Sequence, residues 1–172
     1  MRKLLTAFTF AFIASSASAT LHEGARAPNF VTSGALAGKP FKLDLAEQLR
    51  HGPVVLYFYP KAFTKGCTLE AHAFSEAIPA FTKAGAQVIG MSADNLDTLK
   101  KFSIEGCRSA FPVARADRQV IKAYDVALPA VGLTNRTSYV IARDGRIVMV
   151  HSEMDWKDHV SKSLAAVKAL KQ

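Results

Sequence analysis

One short stretch, from Leu56 to Glu70, restricts what this chain can become more than any other. An apolar, β-rich run from Val54 to Tyr59 stops at Pro60, and a polar loop then leads to Cys67, where helical periodicity starts. Unpaired N–H groups and the positive end of the helix dipole favour a thiolate at such a position. The arrangement therefore predicts a reactive thiol. A half-buried structural cysteine, or one half of a static disulfide, is the competing interpretation.

The residues around this cysteine carry a specific motif. Pro60, Thr64 and Cys67 reproduce the Pro-x-x-x-Thr-x-x-Cys pattern of the peroxiredoxins. The longer strings Tyr-Phe-Tyr-Pro-Lys and Thr-x-Gly-Cys-Thr-x-Glu resemble the peroxiredoxin Q or bacterioferritin-comigratory-protein branch. The resemblance implies a thioredoxin-like α/β fold, with a central mixed sheet flanked by helices and an N-terminal β-hairpin. It also implies a thiol-dependent peroxidase that reduces hydrogen peroxide and organic hydroperoxides through a cysteine sulfenic acid, without a cofactor.

The same resemblance implies the roles of individual residues. Cys67 would be the peroxidatic cysteine, and Pro60 would end the strand and shield it. Thr64 would turn its hydroxyl toward the sulfur or the peroxide, although a helix N-cap is an equally good role for it. Arg136, in a run that resembles the family's arginine-bearing strand, would be the active-site arginine, with a surface arginine as the alternative. Glu70 would relay a proton or simply favour the positive helix end.

The resolving half of the cycle is less well defined. The commonest pattern in this branch places a second cysteine five residues after the first, but this chain has His72 there, and Lys65 replaces the proline often found two residues before the first cysteine. Cys107 is the only other cysteine. The resemblance implies either that Cys107 resolves the sulfenic acid internally or that an external thiol does so. His72 and Cys67 have poor spacing for metal ligands, so we expect no metal site.

The N-terminus predicts export. Arg2 and Lys3 precede an apolar run that ends in Ala17-Ser18-Ala19, the order of charged, apolar and small residues in a secretory signal. We expect residues 1–19 to be cleaved as a secretory signal peptide, and residues 20–172 to form a single domain that is exported to the periplasm. A membrane anchor is the alternative, but the apolar run is shorter than the roughly 20 residues that a spanning helix needs.

The distribution of charge limits the kinds of partner that we expect for this chain. The net charge of +8 comes from cations dispersed singly along the chain, which does not favour nucleic-acid binding. The expected partners are a peroxide and a thioredoxin-like or small-thiol reductant, with no membrane association after cleavage, and we expect a monomer.

Two other functions remain open: an exported thioredoxin-like disulfide exchange protein, and a binding domain in which Cys67 and Cys107 form a permanent structural disulfide. The first is disfavoured because position 64 is threonine, so there is no Cys-x-x-Cys motif.

Hydrophobic periodicity and turn residues predict the order of the elements. The expected elements are strands at 27–31 and 38–43, a helix capped by Asp44, a strand at 54–59, a helix from Cys67 with a kink or restart near Ala77, a strand at 87–92, a helix capped by Asp94, a short strand at 111–113, helical turns at 119–124, a hairpin of 137–142 and 146–150 about Asp144-Gly145, and a C-terminal helix with Trp156, Val160, Leu164 and Val167 on its apolar side.

Overall fold

The computed structural model describes residues 21–170, so the predicted signal segment lies outside the described residues. Strands and helices alternate along this part of the chain. In order they are β1 (Val31–Leu36), β2 (Lys39–Asp44), α1 (Leu45–His51), β3 (Val54–Phe58), α2 (Lys65–Lys83), β4 (Gln87–Ser92), α3 (Leu96–Glu105), β5 (Val113–Arg115), α4 (Arg118–Ala123), β6 (Ala127–Leu128), β7 (Leu133–Thr134), β8 (Thr137–Ile141), β9 (Ile147–Ser152) and α5 (His159–Ala169).

Seven of the strands form one mixed sheet in the order β2-β1-β5-β4-β3-β8-β9. The central strand β3 pairs in parallel with β4 and antiparallel with β8. All five residues of β3 are buried, because helices cover both faces of the sheet at this point. Side chains of α2, α3 and α5 pack on one face, and those of α1 and α4 pack on the other. The mixed sheet with flanking helices and an N-terminal hairpin agrees with the predicted fold class.

The N-terminal hairpin lies a few residues later than predicted. Its strands meet at Ala37-Gly38, where both residues have positive φ, as a tight hairpin turn requires. The segment expected to form the first strand instead runs beside the β8–β9 turn, where the Ala27 N–H donates to the Gly145 carbonyl at 2.9 Å. Phe30 then packs edge-on against the ring of Tyr124 at 5.8 Å. The turn predicted at Asp144-Gly145 is present.

The long helix α2 continues through Pro79 without a break, so the predicted restart near Ala77 is wrong. Pro79 is exposed, and the buried rings of Phe74 and Phe81 lie on either side of it along the helix. These two rings stack at a centroid distance of 6.1 Å. Packing of both halves against the sheet therefore outweighs the backbone hydrogen bond that a proline removes.

The cap of α3 also differs from the prediction. Asn95, and not Asp94, caps the helix by accepting a hydrogen bond from the Thr98 N–H at 2.9 Å. The Asp94 carboxylate accepts instead from the Ala62 N–H and from the Ser92 hydroxyl, each at 2.8 Å. This carboxylate therefore ties the end of β4 to the loop that precedes α2.

The sequence did not predict the small hairpin of β6 and β7, because two-residue strands carry no readable periodicity.

Within residues 21–170, none of the helices has both the length and the apolar character needed to cross a bilayer.

The packing of α2 on the sheet predicts a large effect of Phe74→Ala. The Phe74 ring is fully buried and stacks on Tyr57 of β3 at 4.2 Å. We expect the substitution to lower the free energy of unfolding by about 3–5 kcal/mol, measured by urea denaturation. Leu69→Ala on the same helix is the control, because Leu69 is 40% exposed and its loss should cost about 0.5 kcal/mol. Equal losses in the two variants would contradict this view of the core.

Candidate active site

Cys67 lies in the first turn of α2, which the loop 59–64 connects to the end of β3. It is the third helical residue, and its side chain is only 2% exposed. The sulfur therefore sits close to the positive end of the helix dipole and is largely withdrawn from water. This is the strand, loop and helix arrangement that the sequence predicts around the cysteine.

The loop between β3 and α2 is held by hydrogen bonds at its start. The Tyr59 N–H donates to the Met91 carbonyl at 3.0 Å, and the Tyr59 carbonyl accepts from the Thr134 hydroxyl at 2.6 Å. Pro60 follows directly and is half-buried. Phe63 has a φ of +64°, a conformation that is uncommon for a bulky residue. The loop is thus fixed at Tyr59 and turns sharply just before Thr64.

Thr64 precedes the helix but does not cap it with its side chain. Its hydroxyl donates to the Lys61 carbonyl at 3.0 Å, and it makes no side-chain bond to a first-turn N–H. The residue is exposed, three positions before Cys67. A hydroxyl that donates to a carbonyl still has two lone pairs, so it can also accept a hydrogen bond from a protonated ligand atom.

Arg136 connects the cysteine to two other parts of the structure. The residue directly precedes β8 and is buried, and its Nη2 donates to the Cys67 Sγ at 3.5 Å. Its Nη1 donates to the Glu70 carboxylate, and its Nε donates to the Met154 carbonyl at 3.0 Å. A side chain on Gly66 would place its Cβ 3.4 Å from Nη2, so the glycine allows the guanidinium to approach the helix. The structure thus brings Arg136 and Cys67 into contact.

Glu70 lies one helical turn beyond Cys67 and is fully buried. Burial raises the pKa of its carboxyl to about 8, although the neighbouring guanidinium of Arg136 acts in the opposite direction. Within residues 21–170, its Oε1 has no hydrogen-bond partner. Glu70 is therefore not a solvated acid that merely favours the helix end.

Two buried polar residues behind Glu70 were not predicted from the sequence. The His159 Nδ1 lies 3.8 Å from the Glu70 Oε1 and 2.8 Å from the Ser138 hydroxyl. The other ring nitrogen, Nε2, lies 2.9 Å from the Glu153 carbonyl. Burial lowers the pKa of His159 to about 4. A signal was present, since His159, Ser163 and Val167 recur every four residues and all three are buried.

Cys107 lies just beyond the end of α3, where the sequence predicts it. It is fully buried in the same hydrophobic cluster as Cys67, and burial raises the pKa of its thiol. Its carbonyl accepts a hydrogen bond from the Ser75 hydroxyl at 2.8 Å. The next two residues, Arg108 and Ser109, both have positive φ, of 51° and 58°. Cys67 and Cys107 are both free thiols in this structure.

The side chain of His72, the residue that raised the question of a metal site, makes no hydrogen bond or ion pair with Cys67, Glu70 or Arg136 in the described part of the chain. His72 is half-buried on α2. Within the described range, 21–170, no three His, Cys, Asp or Glu residues are grouped so that they could hold a metal ion.

Comparisons with known proteins identify relatives over most of the chain. The model of the AhpC/TSA family matches residues 24–150. The chloroplastic peroxiredoxin Q of Sedum lineare is 31% identical, over 78% of this chain and 72% of its own length. Peroxiredoxin Bcp of Xanthomonas campestris is 32% identical, over 67% of this chain and 76% of its own length.

Solved structures give the same result. The crystal structure of peroxidoxin BcpB from Mycobacterium tuberculosis aligns with a TM-score of 0.76 and 32% identity, over 87% of this chain and 98% of that one. Peroxiredoxin Q of Xanthomonas campestris aligns with a TM-score of 0.70 and 28% identity, over 81% and 91% of the two chains. The predicted thioredoxin-like fold is confirmed by these neighbours. With the family model matched over most of its length, this chain belongs to the AhpC/TSA family, and it is a peroxiredoxin similar to the peroxiredoxin Q and Bcp proteins.

Proposed function

We propose that this thiol-dependent peroxidase uses Cys67 as its peroxidatic cysteine and Arg136 as the cation that serves it. The supporting observation is the contact of 3.5 Å between the Arg136 Nη2 and the Cys67 Sγ in a site that is almost closed to water. An arginine keeps its charge under all working conditions and presents several N–H donors in one plane. It can therefore hold a thiolate and still offer a donor to a bound peroxide.

The reaction at this site is a displacement at oxygen. The Cys67 thiolate attacks one peroxide oxygen, an S–O bond forms as the O–O bond breaks, and the departing oxygen leaves as hydroxide or alkoxide and takes up a proton. Sulfur loses two electrons and the peroxide gains them. Donors that meet the departing oxygen lower the barrier, and one such donor is worth about 3 kcal/mol in other enzymes. We assign this work to Arg136. The Thr64 hydroxyl, whose proton goes to the Lys61 carbonyl, can accept a hydrogen bond from a protonated peroxide oxygen and so orient the substrate.

Pro60 has a role in access and not in proton transfer. It lies half-buried at the end of β3 and carries no N–H. We propose that its ring covers one side of the Cys67 thiol, which favours small peroxides that can enter end-on. The loop held at Tyr59 keeps the proline in this position.

We further propose that Cys107 resolves the sulfenic acid by forming a disulfide with Cys67, and release of a water molecule balances this step. Bridging requires Cα atoms within about 7 Å of each other. Cys107 is fully buried with a raised pKa, so it is poorly nucleophilic while it stays there. Two consecutive residues with positive φ after it store backbone strain that local unfolding would release. An external thiol is the alternative resolving group.

Export and oligomeric state stay proposals supported by the sequence alone. Residues 1–19 have the order of charged, apolar and small residues of a secretory signal, which suggests a periplasmic enzyme reduced by a thioredoxin-like or small-thiol donor. The monomeric state also stays a prediction.

The first prediction about the function concerns Cys67→Ser. We expect this variant to lose all peroxide consumption, measured with hydrogen peroxide and a dithiol reductant, while its circular dichroism matches that of the unmodified protein. Cys107→Ser is the matched control, because it should still consume one equivalent of peroxide in a single turnover. Turnover by the folded Cys67→Ser protein would refute the assignment.

The second prediction concerns resolution. Mass spectrometry of the reduced protein after one equivalent of hydrogen peroxide should show the loss of two hydrogen atoms, and this loss should be absent in Cys107→Ser. Accumulation of an oxygen adduct on Cys67 in the unmodified protein would instead establish resolution by an external thiol.

The third prediction concerns export. When the full chain is expressed in a Gram-negative bacterium, N-terminal sequencing of the protein from the periplasmic fraction should begin at Thr20. Recovery of the protein with an intact Met1 from the cytoplasmic or membrane fraction would contradict cleavage.

A further inference from the structure

A buried histidine on α5 faces the active site from behind, and the displacement reaction assigns no role to it. His159 is fully buried, and its Nδ1 lies 3.8 Å from the Glu70 Oε1. The carboxyl is held on its other side by Arg136, which in turn contacts the Cys67 sulfur. These contacts form a continuous line from α5 through Glu70 and Arg136 to the reactive thiol.

The hydrogen bonds of His159 define its protonation. Its Nε2 lies 2.9 Å from the Glu153 carbonyl, which can only accept, so Nε2 carries the proton. Burial keeps the ring neutral, and Nδ1 is therefore an acceptor. The Ser138 hydroxyl donates to it at 2.8 Å. A charged Glu70 would place the lone pairs of Oε1 opposite the lone pair of Nδ1, whereas a protonated Oε1 can move closer than 3.8 Å and replace the Ser138 hydroxyl as the donor.

The charge balance of the site requires such a proton. One guanidinium contacts two acids, the Cys67 thiol and the Glu70 carboxyl. If both acids were ionised, this buried site would carry an excess negative charge, which is costly in a medium of low dielectric constant. When Cys67 ionises, Glu70 is the group that is able to hold a proton, because its Oε1 is unpaired and faces an acceptor.

We propose that His159 is a positioning residue that holds Glu70 in its protonated form, so that the charge of Arg136 is directed to the Cys67 thiolate. The inference rests on the proposed role of Cys67 and Arg136. In the resting thiol, Glu70 and Cys67 compete for the guanidinium. As the thiolate forms, one proton is retained on Glu70. The protonated Oε1 closes from 3.8 Å and donates to the His159 Nδ1 in place of the Ser138 hydroxyl, and the thiolate then pairs with Arg136 alone.

The groups around His159 favour its neutral form. The ring of His151 on β9 lies 4.5 Å from the His159 ring, and the Lys162 Nζ lies 3.3 Å from the His151 Nδ1. Lys162, together with Arg136 on the other side, disfavours a second positive charge on His159. Glu153 and Asp158 are the nearby acids, and both are exposed and act on His151. The acceptor at Nδ1 is thereby available near neutral pH.

The test measures the pH at which half of Cys67 is thiolate, from the ultraviolet absorbance of the thiolate, in a Cys107→Ser background. His159→Leu removes the acceptor, so ionised Glu70 should retain Arg136 and the midpoint should rise by about one unit. His159→Asn carries an oxygen near the place of Nδ1, so it should restore at least half of this shift. Ser163→Ala is the matched control, since Ser163 is buried on the same helix and its hydroxyl has no partner among residues 21–170. It should leave the midpoint unchanged.

Two further variants separate positioning from a general loss of packing. Glu70→Gln is a permanent mimic of the protonated acid, so it should lower the midpoint of Cys67 ionisation. Adding His159→Leu to Glu70→Gln should then leave that midpoint unchanged. Ser138→Ala removes the donor that competes for Nδ1, and it should also lower the midpoint. If His159→Leu does not fold, Ser138→Ala decides, and an unchanged or higher midpoint in that variant overturns the proposal.

The readout is independent of turnover. An unchanged midpoint in folded His159→Leu overturns the role of His159 even if the enzyme is fully active. Peroxide consumption by Cys67→Ser would instead overturn the proposed function. The two failures are therefore distinguishable.

Discussion

The three hydrogen bonds of the Arg136 guanidinium hold the site together. They reach the Cys67 sulfur and the Glu70 carboxylate on α2, and the Met154 carbonyl in the segment that follows β9. Burying an arginine and a glutamate is expensive, and only good geometry with further hydrogen bonds offsets the loss of water. Removing one member of such a buried pair typically costs about 3–5 kcal/mol because it leaves an unpaired charge. The same contacts therefore position the thiol and fix α2 against the sheet.

This arrangement explains why the site needs so closed an environment. In water, a guanidinium at 3.5 Å from a sulfur would be screened and would contribute little. With Cys67 2% exposed and Glu70 fully buried, each shift of a proton between the two acids changes the field at the sulfur strongly. Burial raises the pKa of Glu70 from about 4.5 to about 8, so the stability contributed by its protonated form falls as the pH rises between these values and stays lost above pH 8.

The sequence predicted the elements whose signals are local. Pro60, Thr64 and Cys67 lie in one short stretch, and the apolar run of β3 and the turn at Asp144-Gly145 are readable without knowing their partners. Pro79 misled the prediction, since propensity alone does not include the packing of Phe74 and Phe81. The link from Glu70 to His159 spans 89 positions and depends on how α5 packs against α2, so no local pattern could pair these residues. The resemblance to a family supplied Arg136, which periodicity alone would have left as a surface cation.

The resolving role proposed for Cys107 conflicts with its complete burial. A fully buried thiol with a raised pKa is safe from direct oxidation, but it cannot attack a sulfenic acid until it is released. Release must break the Ser75 bond to the Cys107 carbonyl and the Arg108–Glu76 ion pair at 3.1 Å, and it removes apolar surface from the core. The strain at Arg108 and Ser109 offsets part of that cost, at about 1–3 kcal/mol for each residue. Because Glu76 and Arg108 are exposed, their ion pair contributes little, so the backbone strain and the apolar burial decide how readily the segment opens.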